Sequence, residues 1–298
     1  MLHFPVLLEE SVNYLVNDKS GQYVDCTFGR GGHSQLILEK LSKNGFLFSF
    51  DKDPDSSRFA ESINDKNFKN FNDSYKNLNK YFNDNSLDGI LYDLGTCSTH
   101  LDEAKRGFSF NKEGPLDMRF DNRKGIPLSS WLEAANEDEI MKILYKFGNE
   151  KHAKLISNAI MYHKNKNKIT TTTQLSKIIR DIYPEKNNKI HPATKSFQAF
   201  RIFINNELED LKKSLQATEK ILKVGGVVVT IAFHSMEDNI IKNFFKPSVV
   251  SYPKDIPLNT TRETNFKCIA KKVRPSKKEI KINPRSRSAI MRVFRKID

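Results

Sequence analysis

The stretch Tyr23-Val24-Asp25-Cys26-Thr27-Phe28-Gly29-Arg30-Gly31-Gly32-His33-Ser34 constrains this chain more than any other. A short apolar run ends in an acid, breaks into a glycine-rich turn and enters the helix-patterned segment Gln35 to Leu41. That order predicts a strand, a tight turn and a helix start. Gly31 and Gly32 allow positive φ and close approach of a flat ligand to the main chain. An ordinary strand-turn-helix corner, with Ser34 near the helix start, would read the same way.

A second apolar run, Gly45 to Phe50, ends on Asp51. An acid at the tip of the second strand, about 20 residues past the glycine turn, is the usual partner of ribose hydroxyls in nucleotide-binding α/β folds. The loop lacks the third glycine of the dinucleotide fingerprint, which argues against a dehydrogenase. An acid before the turn and another after the second strand match the S-adenosylmethionine pattern better than the NAD pattern. Phe68 to Asn72 reads as a weak third strand, and Tyr75 follows it where an aromatic ring could pack on adenine or fill the core. Leu87 to Gly95 is a clearer fourth strand, which puts Asp93 at the same sheet edge as Asp25 and Asp51.

From Arg106 to about Lys195 the alternation of strand and helix patterns stops and helical patterns take over. The chain is therefore expected to divide into a first part of an α/β core (1–105), an all-helical insertion serving RNA or substrate recognition (106–195) and a second core part (196–298). The insertion should exit through the Lys- and Asn-rich loop Tyr183 to Pro192. One long helix is expected from Ser196 to about Leu222, ended by Gly225-Gly226, and then a strand over Val227 to Phe233. Ser235 and Asp238 are spaced as a capping box for the next helix. Asp53 and Pro54 read as cap and first residue of another. Lys246 to Phe266 reads as an irregular loop and Ala289 to Arg295 as a final strand.

With 298 residues, 38% of them hydrophobic, the chain can bury a sizeable core. Its 49 Lys and Arg against 36 Asp and Glu give a net charge of +13, which favours a polyanionic partner, although lysine-rich solvated loops give the same count. Cys26, Cys97 and Cys268 form no C-x-x-C pair, so neither a disulfide framework nor a metal site is expected. No signal-peptide pattern or membrane-length apolar run is seen, and the cytoplasm is the default.

Several motifs together identify a resemblance. Pro5 to Glu10, Asp25 to Ser34, Arg106-Gly107-Phe108-Ser109-Phe110, Gly114 to Arg119, Phe197-Gln198-Ala199, Phe233-His234-Ser235 with Glu237-Asp238, and Asn283-Pro284-Arg285 occur in order along nearly the whole chain. In these it resembles the bacterial 16S ribosomal RNA cytosine-N4 methyltransferases (RsmH/MraW type). The resemblance implies a class I methyltransferase fold, Rossmann-like with a mostly parallel sheet and a helical insertion. It also implies S-adenosyl-L-methionine as donor and a decoding-region (P-site) cytidine of the small ribosomal subunit as acceptor. Carried over by position, donor binding falls on Gly31, Gly32, His33, Asp51, Tyr75, Asp93 and His100. Tyr75 stands where Phe is commoner, and Thr96 to His100 departs from the usual Val-Ser-Ser-Pro-Gln. Asp93, or the Leu94 carbonyl, lies where it could accept the amine proton. Phe108 and Phe110 are candidate faces for an unstacked base, with Trp131 better read as core, and Arg106, Arg119, Arg285 and Arg287 are candidate phosphate contacts. DNA amino-methylation and a non-enzymatic RNA-binding protein are the competing expectations.

Overall fold

The computed structural model describes residues 5–183, 191–249, 261–262 and 264–298. These form two compact units, one of Met1–Gly95 with Leu208–Asp298 and one of Thr96–Glu207. The first unit opens with helix α1 (Leu8–Leu15), which buries Ser11, Val12 and Leu15. Strand β1 (Gln22–Asp25), helix α2 (Gly32–Lys40), strand β2 (Phe46–Phe50), helix α3 (Pro54–Ala60) and strand β3 (Phe68–Phe71) follow. Asp53 caps α3 as expected, its carboxylate accepting from the Asp55 N–H at 3.0 Å. A 3₁₀ turn, Tyr75–Lys80, leads to strand β4 (Leu87–Asp93).

The second unit holds α4 (Ser98–Asp102), α5 (Leu128–Ala134), α6 (Glu137–Gly148), α7 (Ala153–Lys166), α8 (Thr172–Arg180) and α9 (Thr194–Asn205). Reciprocal capping boxes start α6 (Asn136 with Glu139) and α8 (Thr171 with Gln174), satisfying amides that have no partner within the helix. Leu128, Ile140, Leu144, Ile156, Leu175 and Phe200 are fully buried in its core. The unit runs beyond 106–195 at both ends, and at the C-terminal end this is because α9 packs on α6. A Cβ added at Gly148 would lie 2.9 Å from the Lys195 carbonyl, so the two helices approach closely there. Most of the expected exit loop, 184–190, lies outside the described residues.

The single helix expected from Ser196 to Leu222 is two. Asn206 adopts a left-handed conformation, φ +53°, which ends α9 before α10 (Glu207–Ile221) begins. Strand β5 (Leu222–Ala232) starts ahead of Gly225-Gly226, so this pair sits in an irregular strand start, with Gly225 at φ +85°, and does not terminate a helix. Helix α11 (Ser235–Phe245) is capped one residue earlier than expected, by His234 with Glu237 rather than Ser235 with Asp238. Asp238 instead binds Arg292. Within the expected irregular loop, β6 (Ser248–Val249) pairs with β7 (Thr261–Arg262), and residues 250–260 lie outside the described residues. The sequence reading missed β8 (Phe266–Val273) and α12 (Lys277–Ile282) but found the last strand, β9 (Ile290–Lys296). In β8 only Phe266 is buried, so the strand lacks an alternating apolar signal.

Seven strands form one sheet in the order β3-β2-β1-β4-β5-β9-β8, parallel through β5 and antiparallel at β9 and β8. This is the Rossmann-like, mostly parallel sheet expected from the order of strand and helix patterns. Tyr92 fastens α10 to one sheet face, with its hydroxyl 2.6 Å from Ser214 Oγ and 2.7 Å from Thr218 Oγ1. In the second unit, Phe200→Ala should cost about 3–5 kcal/mol through the cavity it leaves. Urea unfolding followed by fluorescence of Trp131, the chain's one tryptophan, whose ring lies 6.3 Å from Phe200, measures this.

Candidate active site

Strand β1 lies inside the sheet and its two neighbours diverge in sequence order, β2 leading outward on one side and β4 on the other. Such a reversal leaves a crevice beyond the carboxyl ends of the strands, where ligands of open α/β sheets bind. Asp25 is level with Ser49 on β2 and Leu91 on β4. Asp51 and Asp93 lie two residues further along, so they flank Asp25 on either side. Strand β1 stops first, and the glycine turn occupies the space that its continuation would fill.

The turn is held by the acids around it. Ser34 Oγ donates to Asp25 Oδ2 at 2.7 Å and the Thr27 amide donates to Asp25 Oδ1 at 3.0 Å. The Asp93 amide donates to Thr27 Oγ1 at 2.8 Å, linking the tips of β1 and β4. Asp51 Oδ2 accepts from the Gly29 amide at 2.8 Å and Oδ1 from the Asp53 amide at 2.9 Å. Gly31, at φ +78°, is the left-handed residue before α2. A Cβ at Gly32 would lie 2.2 Å from Pro5 Cγ, and one at Gly31 would lie 2.8 Å from the Phe28 ring. The close approaches seen at both glycines are therefore to the protein's own side chains. Arg30 donates to the Gly29 carbonyl and Ser56 Oγ and lies over the Phe59 ring, fixing the turn to α3.

His33 is nearly fully buried. Its Nε2 lies 3.2 Å from the Val6 carbonyl, which can only accept, so the ring proton belongs there. Nδ1 then faces Asp93 Oδ2 at 3.6 Å. Asp93 Oδ1 is buried and has no hydrogen-bond partner among the described residues. Burial, Asp25 and Glu237 together push the Asp93 carboxyl well above its ordinary value. Burial also raises the Asp25 carboxyl from 3.8 to about 6, against the lowering effect of Ser34 and the Thr27 amide. Tyr75 is half-buried and meets the buried Tyr92 edge-on at 5.8 Å. Reading the sequence missed Thr27 and Glu237. Glu237 accepts the Phe233 amide at 2.8 Å at the tip of β5, and its signal was its place in the first turn of a helix after a strand.

In the first unit the fold thus gathers Gly31, Gly32, His33, Asp51 and Asp93 around one strand end, with Tyr75 beyond the neighbouring β3. The second unit holds the other candidates. His100 is buried between Phe108 and Phe120, with ring centroids 5.0 and 5.1 Å away. Phe108 is a core residue, 5% exposed, and not the open face expected for a base. Phe110 stacks on His191 at 4.5 Å, and Trp131 packs on Phe203 at 4.8 Å. Arg106 is buried and donates to the carbonyls of Arg119 and Phe120. Arg119 makes two 2.7 Å bonds to Asp117 and donates to the carbonyls of Lys124 and Gly125. Both guanidiniums hold loop backbone, which corrects the expectation of phosphate contact. Arg285 and Arg287, in the 3₁₀ turn Pro284–Ser288 of the first unit, are exposed.

Because the folded-state Asp25 carboxyl is raised, the native chain keeps a proton there that the unfolded chain releases, and stability falls as pH rises from about 4 through about 6. Asp25→Asn removes this titration. The variant should gain stability relative to the wild type across that window, by up to roughly 3 kcal/mol at neutral pH. Denaturant unfolding of both proteins at several pH values checks it, and a constant difference would exclude the buried ionisation.

The sequence matches the MraW methylase family over residues 1–297. The ribosomal RNA small subunit methyltransferase H of Nitrosomonas eutropha is 41% identical over 310 aligned residues, covering 100% of this chain and 98% of that protein. The protein of the same name from Nitrosospira multiformis is 42% identical over 308, covering 99% and 98%. A solved rRNA methylase from Streptococcus thermophilus aligns at 13% identity and a TM-score of 0.41, covering 100% of this chain and 99% of that one. With the family matched almost end to end, this chain belongs to the MraW methylase family.

Proposed function

We propose that this protein transfers a methyl group from S-adenosyl-L-methionine to the exocyclic N4 amine of a decoding-region cytidine in small-subunit ribosomal RNA. The observation that carries the reading is the set of acids at the tips of β1, β2 and β4 around the glycine turn, in a chain about 41% identical over its full length to proteins named ribosomal RNA small subunit methyltransferase H. S-adenosyl-L-methionine is the donor of this family, and the residues present fit it. Asp51 stands just past the tip of β2, where its carboxylate can accept from ribose hydroxyls as well as from the backbone of the turn. Tyr75 offers an aromatic ring for adenine, and the turn from Gly29 to His33 suits the amino-acid portion. When bound, the donor supplies an electrophilic methyl on a sulfonium.

The protein's task in such a displacement is alignment and removal of a proton. The cytosine amine is a weak nucleophile because its lone pair is delocalised into the ring. A hydrogen-bond acceptor on its N–H localises that pair and takes up the proton. Asp93 suits this role because Oδ1 has no partner among the described residues and burial has made the carboxyl more basic. His33 Nδ1 faces the other oxygen, Oδ2, at 3.6 Å. The Leu94 carbonyl is the neighbouring acceptor. The bacterial cytoplasm, where small subunits are assembled, is the compartment this reading implies.

Methyl incorporation from labelled donor into undermodified small subunits, with naked rRNA and DNA alongside and the modified base mapped, tests the assignment. Label on a decoding-region cytidine amine is expected, and label confined to DNA or to another base would overturn it. Asp51→Asn should weaken donor binding by about 1.5–3 kcal/mol, roughly ten- to a hundredfold, in calorimetry. Asp93→Ala should lose turnover at saturating donor, and full turnover would remove Asp93 from the catalytic role.

A further inference from the structure

The positive charge of this chain is concentrated in one place. Between Phe266 and Lys296 there are twelve Lys and Arg and a single acid, Glu279, a net +11 in 31 residues out of +13 for the whole protein. The remaining nine-tenths of the chain is nearly neutral, so a generally lysine-rich composition does not explain the excess. Two of the cations serve the fold: Arg292 pairs with Asp238 at 2.6 Å, and Lys296 is buried against the carbonyls of Glu219 and Leu222. By contrast Lys271, Lys272, Lys277, Lys278, Lys281 and Arg287 are exposed, and none forms an ion pair with a described residue.

These side chains stand on fixed backbone. Strand β8 is hydrogen-bonded to β9, α12 is capped by Ser276 Oγ accepting the Glu279 amide at 3.1 Å, and the following 3₁₀ turn is capped by Asn283. Lysines on an edge strand also discourage sheet-to-sheet association, which accounts for Lys271 and Lys272 but not for the cations of α12 and the turn after it. The one acid ties this face to the site. Glu279 Oε1 accepts the Leu7 amide at 2.9 Å, the Val6 carbonyl accepts His33 Nε2, and Pro5 packs over Gly32. Three consecutive residues thus connect α12 to the glycine turn. Gathering so many like charges without carboxylate partners is costly unless a polyanion meets them.

We infer that the face formed by β8, α12 and the turn Pro284–Ser288 is a docking platform for the phosphate backbone of RNA, beside the glycine turn but outside the cleft where methyl transfer takes place. It rests on the proposed function only for the class of acceptor. Its spread over a strand, a helix and a turn suits several successive phosphates and reads no base, so it would position the RNA while sequence is read elsewhere.

The test compares the wild type, a platform variant (Lys272→Ala, Lys277→Ala, Lys278→Ala, Lys281→Ala) and a control with the same number of exposed lysines removed from the second unit (Lys142→Ala, Lys146→Ala, Lys151→Ala, Lys154→Ala). Affinity for a labelled small-subunit rRNA fragment is measured against salt concentration, with donor calorimetry as the check on folding. The platform variant should lower the slope of log affinity against log salt by about three. It should raise KM for RNA more than it lowers kcat and leave donor affinity unchanged, and the control should change the slope less. Lys→Arg at the same four platform positions should restore the slope. An unchanged slope in the platform variant, an equal loss in the control, or loss of binding to acidic protein or anionic vesicles without loss of RNA binding would each overturn the inference. A wild type that methylates no RNA yet shows the platform-dependent slope would refute the proposed function and leave the platform standing.

Discussion

The bond from Ser34 Oγ to Asp25 Oδ2 joins the parts on which the active end of this protein depends. Asp25 ends β1, Ser34 lies in the first turn of α2, and the glycine turn runs between them. The carboxylate is buried and raised to about 6, so its position costs stability near neutral pH. A neutral residue would hold the corner more cheaply. The acid persists where three strand tips converge and where a cationic ligand is the expected guest, the setting in which uncompensated buried charge is expected of a functional site.

The other site residues take their positions from that corner. Because β1 stops one pleat short of its neighbours, Asp51 and Asp93 project past it on the two sides. Thr27 then bridges by accepting the Asp93 amide, and His33 reaches from α2 to the Asp93 carboxylate. The N-terminal residues Pro5, Val6 and Leu7 close the arrangement, each touching a different partner: Gly32, His33 and Glu279. A change in any of the three would reach the site without any contact with a ligand.

The division of labour between arginines is instructive. Arg106 and Arg119 lie in motifs that suggest recognition, yet both hold backbone carbonyls of one loop. Carbonyls of a loop that is not in a sheet or helix need donors, and a guanidinium with five N–H groups can satisfy several at once. Unbalanced positive charge is concentrated instead on the C-terminal strand, helix and turn, where it runs over consecutive elements.

From the sequence alone, the strand-turn-helix corner, the acids at successive strand ends, the α3 cap at Asp53 and the final strand could be read, because each is a local pattern whose meaning follows from backbone geometry over a few residues. Trp131, better read as core than as an open face, is half-buried against Phe203. The break at Asn206, the capping by His234 and Glu237, the Lys-rich edge strand β8 and the internal use of Arg106 and Phe108 were not legible. Each of these depends on which distant segment a residue meets. Asn206 can continue a helix or end it, and the neighbouring elements decide which. The apolar alternation that reveals a buried strand is absent from β8, where only Phe266 is buried and Lys267, Lys271 and Lys272 are exposed. Local chemistry therefore determined the glycine turn and the acids around it, while tertiary packing decided which charged and aromatic side chains remained available to a partner, because burial is a property of the whole fold and not of the residue.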